Sequence, residues 1–544
     1  MNKSRLLTTV LALTALLLTA ALAACNSPTP DTSQLTVTNS APTAPPTATT
    51  LPTAEPTATS EPTVIPTSTP PPTETPNPTP TPQPATLAAP PEWAERIEAA
   101  LAEEPPAGWA WSVLAVDDPQ AALDDGRAQA AIVSGSDGTV VREEPLAFSV
   151  PFTTNWEQLG AADADAIVVE GHSLIQMIPW SAMTPDNKAM RVDGLHPTDP
   201  DYPYRLSWSL VAAPEFEAAA AELAPTLTEA LTPLPTIRLA AVGDINMDRA
   251  PAYILTELGD LPYPFALVKS VFDAADYTIG NLETALGDVG EPAAKRYPFR
   301  SPPVAAEALA VGGVDLVSLA NNHAQDYGPE ALLQGIDLLH AAGVATVGGG
   351  ADAAAAHAPH ITEIGGLRVA FLGYVHVPIE AVTNFDTESW TATADVPGLA
   401  WGDPARIRAD VAAVRPEADL VVVILHSGYE YIEEPGEEQI AAARAAVDAG
   451  ADLVVGHHAH ILQGIHRYND GVIAYGLGNF VFDIDGPPET TILNVWLDRD
   501  GVRQLELIPA IIQEHGRPRL AEPWEAGPIL SRVYYLTTIL NAGN

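Results

Sequence analysis

The sequence predicts an α/β protein whose C-terminal half is a layered domain on a buried, largely parallel sheet. Three observations carry this. From residue 237 onward, short apolar strands alternate with helical stretches. The strands are nearly unbroken runs of Val, Ile, Leu and Ala, such as Leu420-Val-Val-Val-Ile-Leu425, as a strand covered on both faces requires. Polar residues then gather just beyond the strand ends, the edge at which α/β sheets bind ligands.

The chain opens on a targeting segment. In residues 1–25, Lys3 and Arg5 precede an apolar run from Leu6 to Ala21, and Leu22-Ala23-Ala24-Cys25 closes it. The run is short for a membrane span and ends in small residues, which favours cleavage. It resembles the lipobox of bacterial lipoproteins. The resemblance implies lipid modification of Cys25 and an extracytoplasmic, membrane-anchored location. Cys25 is the only cysteine in the 544 residues, so no intramolecular disulfide supports the fold. Residues 26–90 are rich in Pro, Thr, Ala and Ser and read as a disordered linker of polyproline character. At ~3.1 Å per residue such a stalk reaches on the order of 200 Å.

Charge narrows the partners. Lys and Arg number 25 against 69 Asp and Glu, a formal net charge of -44. A surface of that sign repels nucleic acid at long range, so no nucleic-acid partner is expected. An anionic substrate would need a local cationic site, which metal ions provide in a small volume.

Residues 91–234 read as a smaller α/β domain. Helices are expected at Pro91–Glu104 and Pro214–Leu231, and strands at Trp109–Val116, Ala130–Val133 and Ala166–Val169. Lys188-Ala-Met-Arg-Val-Asp-Gly-Leu-His-Pro-Thr198 and Asp201-Tyr-Pro-Tyr-Arg-Leu-Ser-Trp-Ser-Leu210 resemble part of the phosphate-type periplasmic substrate-binding proteins. The region is too short for both lobes of such a protein. His172 and His196 are read as structural or surface residues.

Residues 235–544 form the regular part. Strands are expected at Ile237–Gly243, Tyr277–Gly280, Asp315–Ala320, Leu367–Leu372, Leu420–Leu425 and Leu453–Val455. Helices are expected near Phe265–Ala274, Val304–Val311, Pro329–Ala342, Pro404–Val414 and Glu437–Ala449. A hairpin of Thr491–Leu497 and Val502–Pro509 closes the domain. Asp244, Asn281, Glu283, Asn322, His323, His426, His458 and His460 all follow strand ends. His458 and His460 lie two apart, a spacing that puts both on one side of extended backbone. Oxygen and nitrogen donors without thiolate suit manganese, iron, zinc or magnesium.

The run Gly243-Asp244, Asn281-Leu-Glu283, Ala320-Asn-Asn-His323 with Asp326 and Gly328, His426-Ser-Gly-Tyr-Glu-Tyr431, Gly456-His-His-Ala-His460 and Gly478-Asn-Phe480 closely resembles the CapA family. That family is associated with poly-γ-glutamate capsule synthesis and belongs to the calcineurin-like metallophosphoesterase superfamily. The resemblance covers residues 236 to 510 and implies two divalent metals. Asp244 and His460 would hold the first, Asn322, His426 and His458 the second, and Glu283 would bridge them. His323 would protonate a leaving oxygen, with Asp326 orienting it. Paired metals about 3.5–4 Å apart activate a nucleophile and neutralise charge building on a phosphoryl group. His457 is read as a neighbour of the site.

Two departures bear on activity. Asn246 stands where the superfamily motif Asp-x-His has its histidine, and Glu283 stands at the usual bridging Asp. Substrate contacts are expected from Arg300, Tyr429, Glu430 and Asn281, with Lys295 and Arg296 beside Arg300 in a rare basic cluster. Asn479 and Asp483 are expected to support the ligands. Three readings stay open: a metal-dependent hydrolase acting on a phosphate ester or an anionic polymer, a non-catalytic polymer-binding lipoprotein working with the capsule-synthesis machinery, and a small-anion sensor in residues 91–234.

Overall fold

The computed structural model describes residues 81–135, 137–380, 384–483 and 486–542. The signal segment, Cys25 and the Pro/Thr-rich stretch up to residue 80 lie outside the described residues. Residues 79–544 form one compact unit.

The α/β region starts earlier than expected. Gln83–Ala89, assigned above to the linker, is a strand paired in parallel with Trp109–Ala115 and with Ala130–Ser134. Leu87, Ala88 and Ala89 are buried in it; small apolar residues at the end of a Pro/Thr tract were masked by their neighbours' composition. Arg205–Ala212 and Thr139–Pro151 continue this seven-stranded sheet in antiparallel order. Ala166–Val169, expected as a strand, falls inside the helix Ala161–Glu170. Glycines bracket that helix and its first half is Ala-rich, so local helix preference outweighs two valines at its end.

Residues 237–520 supply two facing sheets rather than the single sheet expected. One has eight strands in the order 345–347, 316–318, 277–282, 237–245, 489–498, 501–512 and 518–520, with Asn479–Val481 also paired to Ile237–Ile245. The other has six, in the order 360–364, 367–376, 420–427, 453–457, 471–474 and 465–468. Leu239, Ala241, Ile279 and Leu493 of the first sheet meet Val369, Phe371, Val422 and Val455 of the second in one core. Helices Ala305–Gly312 and Pro329–Ala342 cover the outer face of the first sheet, and Pro404–Val414 and Glu437–Asp448 that of the second. Strands covered on both faces explain the unbroken apolar runs. The helix near Phe265–Ala274 shrinks to Lys269–Phe272. No helix among the described residues is long and apolar enough to cross a membrane.

The segment resembling a substrate-binding protein is absorbed into packing. Lys188 is buried, paired with Glu157 and donating to the Tyr534 hydroxyl at 2.7 Å. Arg191 grips Glu506 of the long hairpin through two hydrogen bonds of 2.6 and 2.9 Å. Neither cation is left open to an anion.

His196 is fully buried, stacked on Trp496 at 4.1 Å, with Nε2 accepting from Gln504 at 3.0 Å. Burial holds this imidazole neutral, lowering its pKa to about 3 from 6.5. The unfolded chain therefore takes up a proton that the folded one refuses. Stability contributed by a neutral His196 is present above pH 6.5 and is lost as pH falls from there toward 3, by at most about 1.4 kcal/mol per unit. His196→Gln should be less stable than wild type at pH 7.5, and thermal unfolding should show that gap narrowing between pH 6.5 and 4.5.

Candidate metal centre

The site forms where the C-terminal edges of the two facing sheets meet. Ile237–Ile245 carries Asp244, Tyr277–Leu282 leads into Glu283, and Leu316–Ser318 leads toward Asn321, Asn322 and His323. These come from the eight-stranded sheet. Leu420–Ser427 brings His426 and Leu453–His457 leads into His458 and His460 from the six-stranded one. Close backbone approach makes the meeting possible. A Cβ on Gly243 would sit 2.0 Å from the carbonyl oxygen of Gly478, which accepts the Asp244 amide at 3.0 Å.

His458 and His460 converge for a reason other than strand geometry. The strand ends at His457, and both residues have left-handed backbone, with φ of 88° and 55°. Such a conformation costs a non-glycine residue of order 1–3 kcal/mol and concentrates at functional sites. It puts the two rings 5.9 Å apart and His458 4.8 Å from His426.

Two sets of ligand atoms lie within 4.8 Å of one another: Asp244, Glu283 and His426, and Glu283, His458 and His460. Glu283 belongs to both. It is fully buried, and neither carboxylate oxygen has a hydrogen-bond partner. Oε1 instead faces His426 Nε2 at 3.5 Å and His460 Nε2 at 3.8 Å. Asn322 Oδ1 lies 2.7 Å from His426 Nε2, joining the same convergence. Desolvation of an unpartnered buried carboxylate is costly unless a cation compensates it. This donor set therefore fits divalent metal.

The electrostatics agree. Burial, then the neighbouring Asp244, hold the Glu283 carboxyl well above its usual range. Burial alone would raise Asp244 too, but His457 and His460 hold it well below the ordinary value. Burial and His458 keep His426 neutral, and burial and His460 lower His458 to about 3. Burial opposes protonation of His460, yet Glu283 and Asp244 outweigh it and raise that imidazole to about 10. Two neutral imidazoles beside two carboxylates form a site that calls for cations.

Supporting groups orient the ligands. Asn281 is fully buried, donates to Asp244 Oδ1 at 2.9 Å and lies 3.1 Å from His426 Nδ1. It accepts from Asn321 at 3.1 Å. Expected above as a substrate contact, Asn281 is placed behind the ligands instead. His460 Nδ1 bonds Asn479 Oδ1 at 2.8 Å, leaving Nε2 toward Glu283, as metal-bound imidazoles are commonly held. Asp483 instead accepts the Ala250 amide at 3.2 Å. His457 stands 3.1 Å from Asp244. Asn246 donates to the Glu283 carbonyl at 3.2 Å and accepts the Asp248 amide at 2.9 Å, so it fastens two strand ends together.

His323 is 7% exposed. Its Nδ1 donates to Asp326 Oδ2 at 2.6 Å. Asp326 also accepts the Phe299 amide at 2.7 Å and Lys295 Nζ at 2.7 Å. Lys295, whose side chain is 1% exposed, pairs with Glu380 as well and donates to the Asn322 carbonyl. Glu380 in turn accepts from Asn322 Nδ2 at 3.0 Å. The sequence reading placed Lys295 in a basic cluster expected at the substrate and passed over Glu380; the structure buries Lys295 between Asp326 and Glu380 instead. Arg300 lies outside the cluster, donating to the Val289 and Gly290 carbonyls at 2.7 and 3.1 Å with its guanidinium 3.4 Å from the Tyr327 ring centre. Tyr429 and Glu430 line a cavity that His458 also lines.

The chain is similar to known proteins. The family described as "Bacterial capsule synthesis protein PGA_cap" matches residues 238–484. The capsule biosynthesis protein CapA of Bacillus anthracis is 32% identical over 307 residues, covering 54% of this chain and 72% of that protein. The PGA biosynthesis protein CapA of Bacillus subtilis is 31% identical over 280 residues, covering 50% and 71%. Among solved structures, a hypothetical protein of Thermus thermophilus aligns at 16% identity and a TM-score of 0.33, over 50% of this chain and 98% of that one.

Proposed function

Because this chain belongs to the CapA family of bacterial capsule synthesis proteins, we propose that it takes part in making, exporting or anchoring an anionic capsule polymer, poly-γ-glutamate. In this reading it is a lipoprotein held to the membrane at Cys25, with a hydrolase-like metal site raised from the surface on the Pro/Thr-rich stalk. Cys25→Ala would then shift the protein from the membrane fraction into the medium.

The shared, unpartnered Glu283 carries the metal part of the reading. Asp244, Glu283, Asn322, His426, His458 and His460 would hold two divalent ions, manganese, iron, zinc or magnesium. Bound there, such ions supply Lewis-acid stabilisation of a phosphoryl or acyl oxygen and a lowered pKa for the attacking water. The chain's own groups do the rest. Asp326 accepts from His323 Nδ1, so the proton available for a leaving oxygen is the one on Nε2. Lys295 pairs with both Asp326 and Glu380 and holds that acid against the ligand loop. Asn281 and Asn479 keep the coordinating nitrogens aimed inward.

The alternative is a binding protein that keeps the metals without turnover. His323 decides between them, because a binder has no need of a proton donor. The test is metal analysis of the full chain together with turnover of a phosphodiester and of poly-γ-glutamate. His323→Ala should retain its metal and lose about 10²-fold or more of turnover, whereas His458→Ala should lose both. Turnover unchanged in His323→Ala would leave the binding reading.

A further inference from the structure

A cavity of about 240 Å³ opens beside the ligand cluster and is lined by His376, Tyr429, Glu430, Tyr431, Glu438 and His458, among others. His376 ends the strand Leu367–His376 and is paired in register with Ser427, one residue beyond His426. In the structure its Nδ1 is buried with no hydrogen-bond partner, as is Nδ1 of His458, which is 4% exposed. The loop bearing Tyr429 to Tyr431 is pinned to the metal-ligand loop by the Tyr431 amide, which donates to the Ala459 carbonyl at 2.8 Å.

The lining chemistry is one-sided. It presents carboxylates from Glu430 and Glu438, two tyrosine rings and the unpartnered Nδ1 of His376, and none of its lining residues is Lys or Arg. The third carboxylate, Glu380, is already paired with Lys295. A carboxylate seated here would meet Glu430 and Glu438, and its only counter-charge would be the ions of the neighbouring metal centre. An ammonium would find charge-assisted acceptors and aromatic faces.

We infer that this cavity binds a primary ammonium group, the free amino end of the polymer, and so seats the chain terminus beside the metal centre. The inference rests on the capsule-polymer reading and specifies it. Every residue of a polyglutamate carries a carboxylate, the amino-terminal one included, but only that end also carries an ammonium, so an acidic pocket favours it over internal segments. The protein would then meet its polymer at the amino terminus rather than along its length.

The experiment compares metal-loaded full chain binding a short γ-linked glutamate oligomer with a free amino end against the same oligomer N-acetylated. Acetylation should weaken binding by at least about tenfold. Glu430→Gln should weaken binding of the free-amine oligomer by a similar factor and leave the acetylated one unchanged. Equal affinity for the two oligomers overturns the inference and leaves the polymer reading standing. Discrimination that survives in Glu430→Gln overturns the assignment to this cavity. If neither oligomer binds, the polymer reading and the inference fall together.

Discussion

Glu283→Gln is expected to bind metal at least about tenfold more weakly than wild type, and yet to make the metal-free protein more stable. The two effects come from one physical fact. Glu283 is fully buried with no hydrogen bond to either oxygen, and its neighbour Asp244 carries the same sign of charge. Without a cation, an ionised carboxylate there is a net cost, and Gln of the same shape removes it at a gain of about 1–3 kcal/mol. With a cation, that charge would become a direct ligand, and losing it should weaken binding by no less than the 10–100-fold typical of supporting residues. The sign follows from the raised carboxyl: folding favours its protonated form, so ionised Glu283 subtracts stability at neutral pH. Calorimetric unfolding in chelator should rise by a few degrees while elemental analysis shows reduced metal. A melting temperature that falls in chelator along with metal content would mean that Glu283 is held by contacts other than a metal.

Lys295→Met should be the most destabilising single change near the site, at about 3–5 kcal/mol. The substitution keeps the aliphatic stem and removes only the charge. What it leaves behind is the problem: Asp326 with a fully buried side chain and Glu380 at 9% side-chain exposure both lose their cation. Asp326 keeps the Phe299 amide and His323, so the larger penalty should fall on the pair as a whole. Adding Glu380→Gln to Lys295→Met should recover roughly half of the loss, because one of the two carboxylates that faced the lysine is removed. Denaturant unfolding of the single and double variants measures both numbers. A single variant within about 1 kcal/mol of wild type would show that the cluster is solvated and that Lys295 does not hold His323 in place.

Much of the fold was legible because burial on both faces writes itself as composition. The helices Pro329–Ala342 and Pro404–Val414 begin and end where a leading proline and the apolar spacing put them. The strand beginning at Leu420 is read from its unbroken valines, and it runs two residues further only because His426 and Ser427 continue the ladder. Gln83–Ala89 and Ala166–Val169 failed for other reasons: flanking composition hid a strand fixed by pairing, and three β-branched residues, Ile167 to Val169, pointed away from a helix set by its Ala-rich start.

The ligand types could be read in one dimension because oxygen and nitrogen donors follow apolar strands at the sheet's C-terminal edge. Asp244, Glu283, Asn322, His426, His458 and His460 were all named that way, and the fold brings them together. What the sequence alone determined was therefore the donor set and the edge on which it lies. Only the tertiary structure decided how the donors face one another. The two-residue spacing of His458 and His460 was read as extended backbone, whereas left-handed residues turn both rings inward. Asn281, expected at the substrate, stands behind the ligands, and Arg300 turns away to backbone carbonyls. Lys295 and Glu380, distant in sequence from most of the ligands, complete the network. Strand order, the meeting of two separate sheets, and the direction in which a long side chain points depend on contacts between distant segments, which local periodicity does not encode.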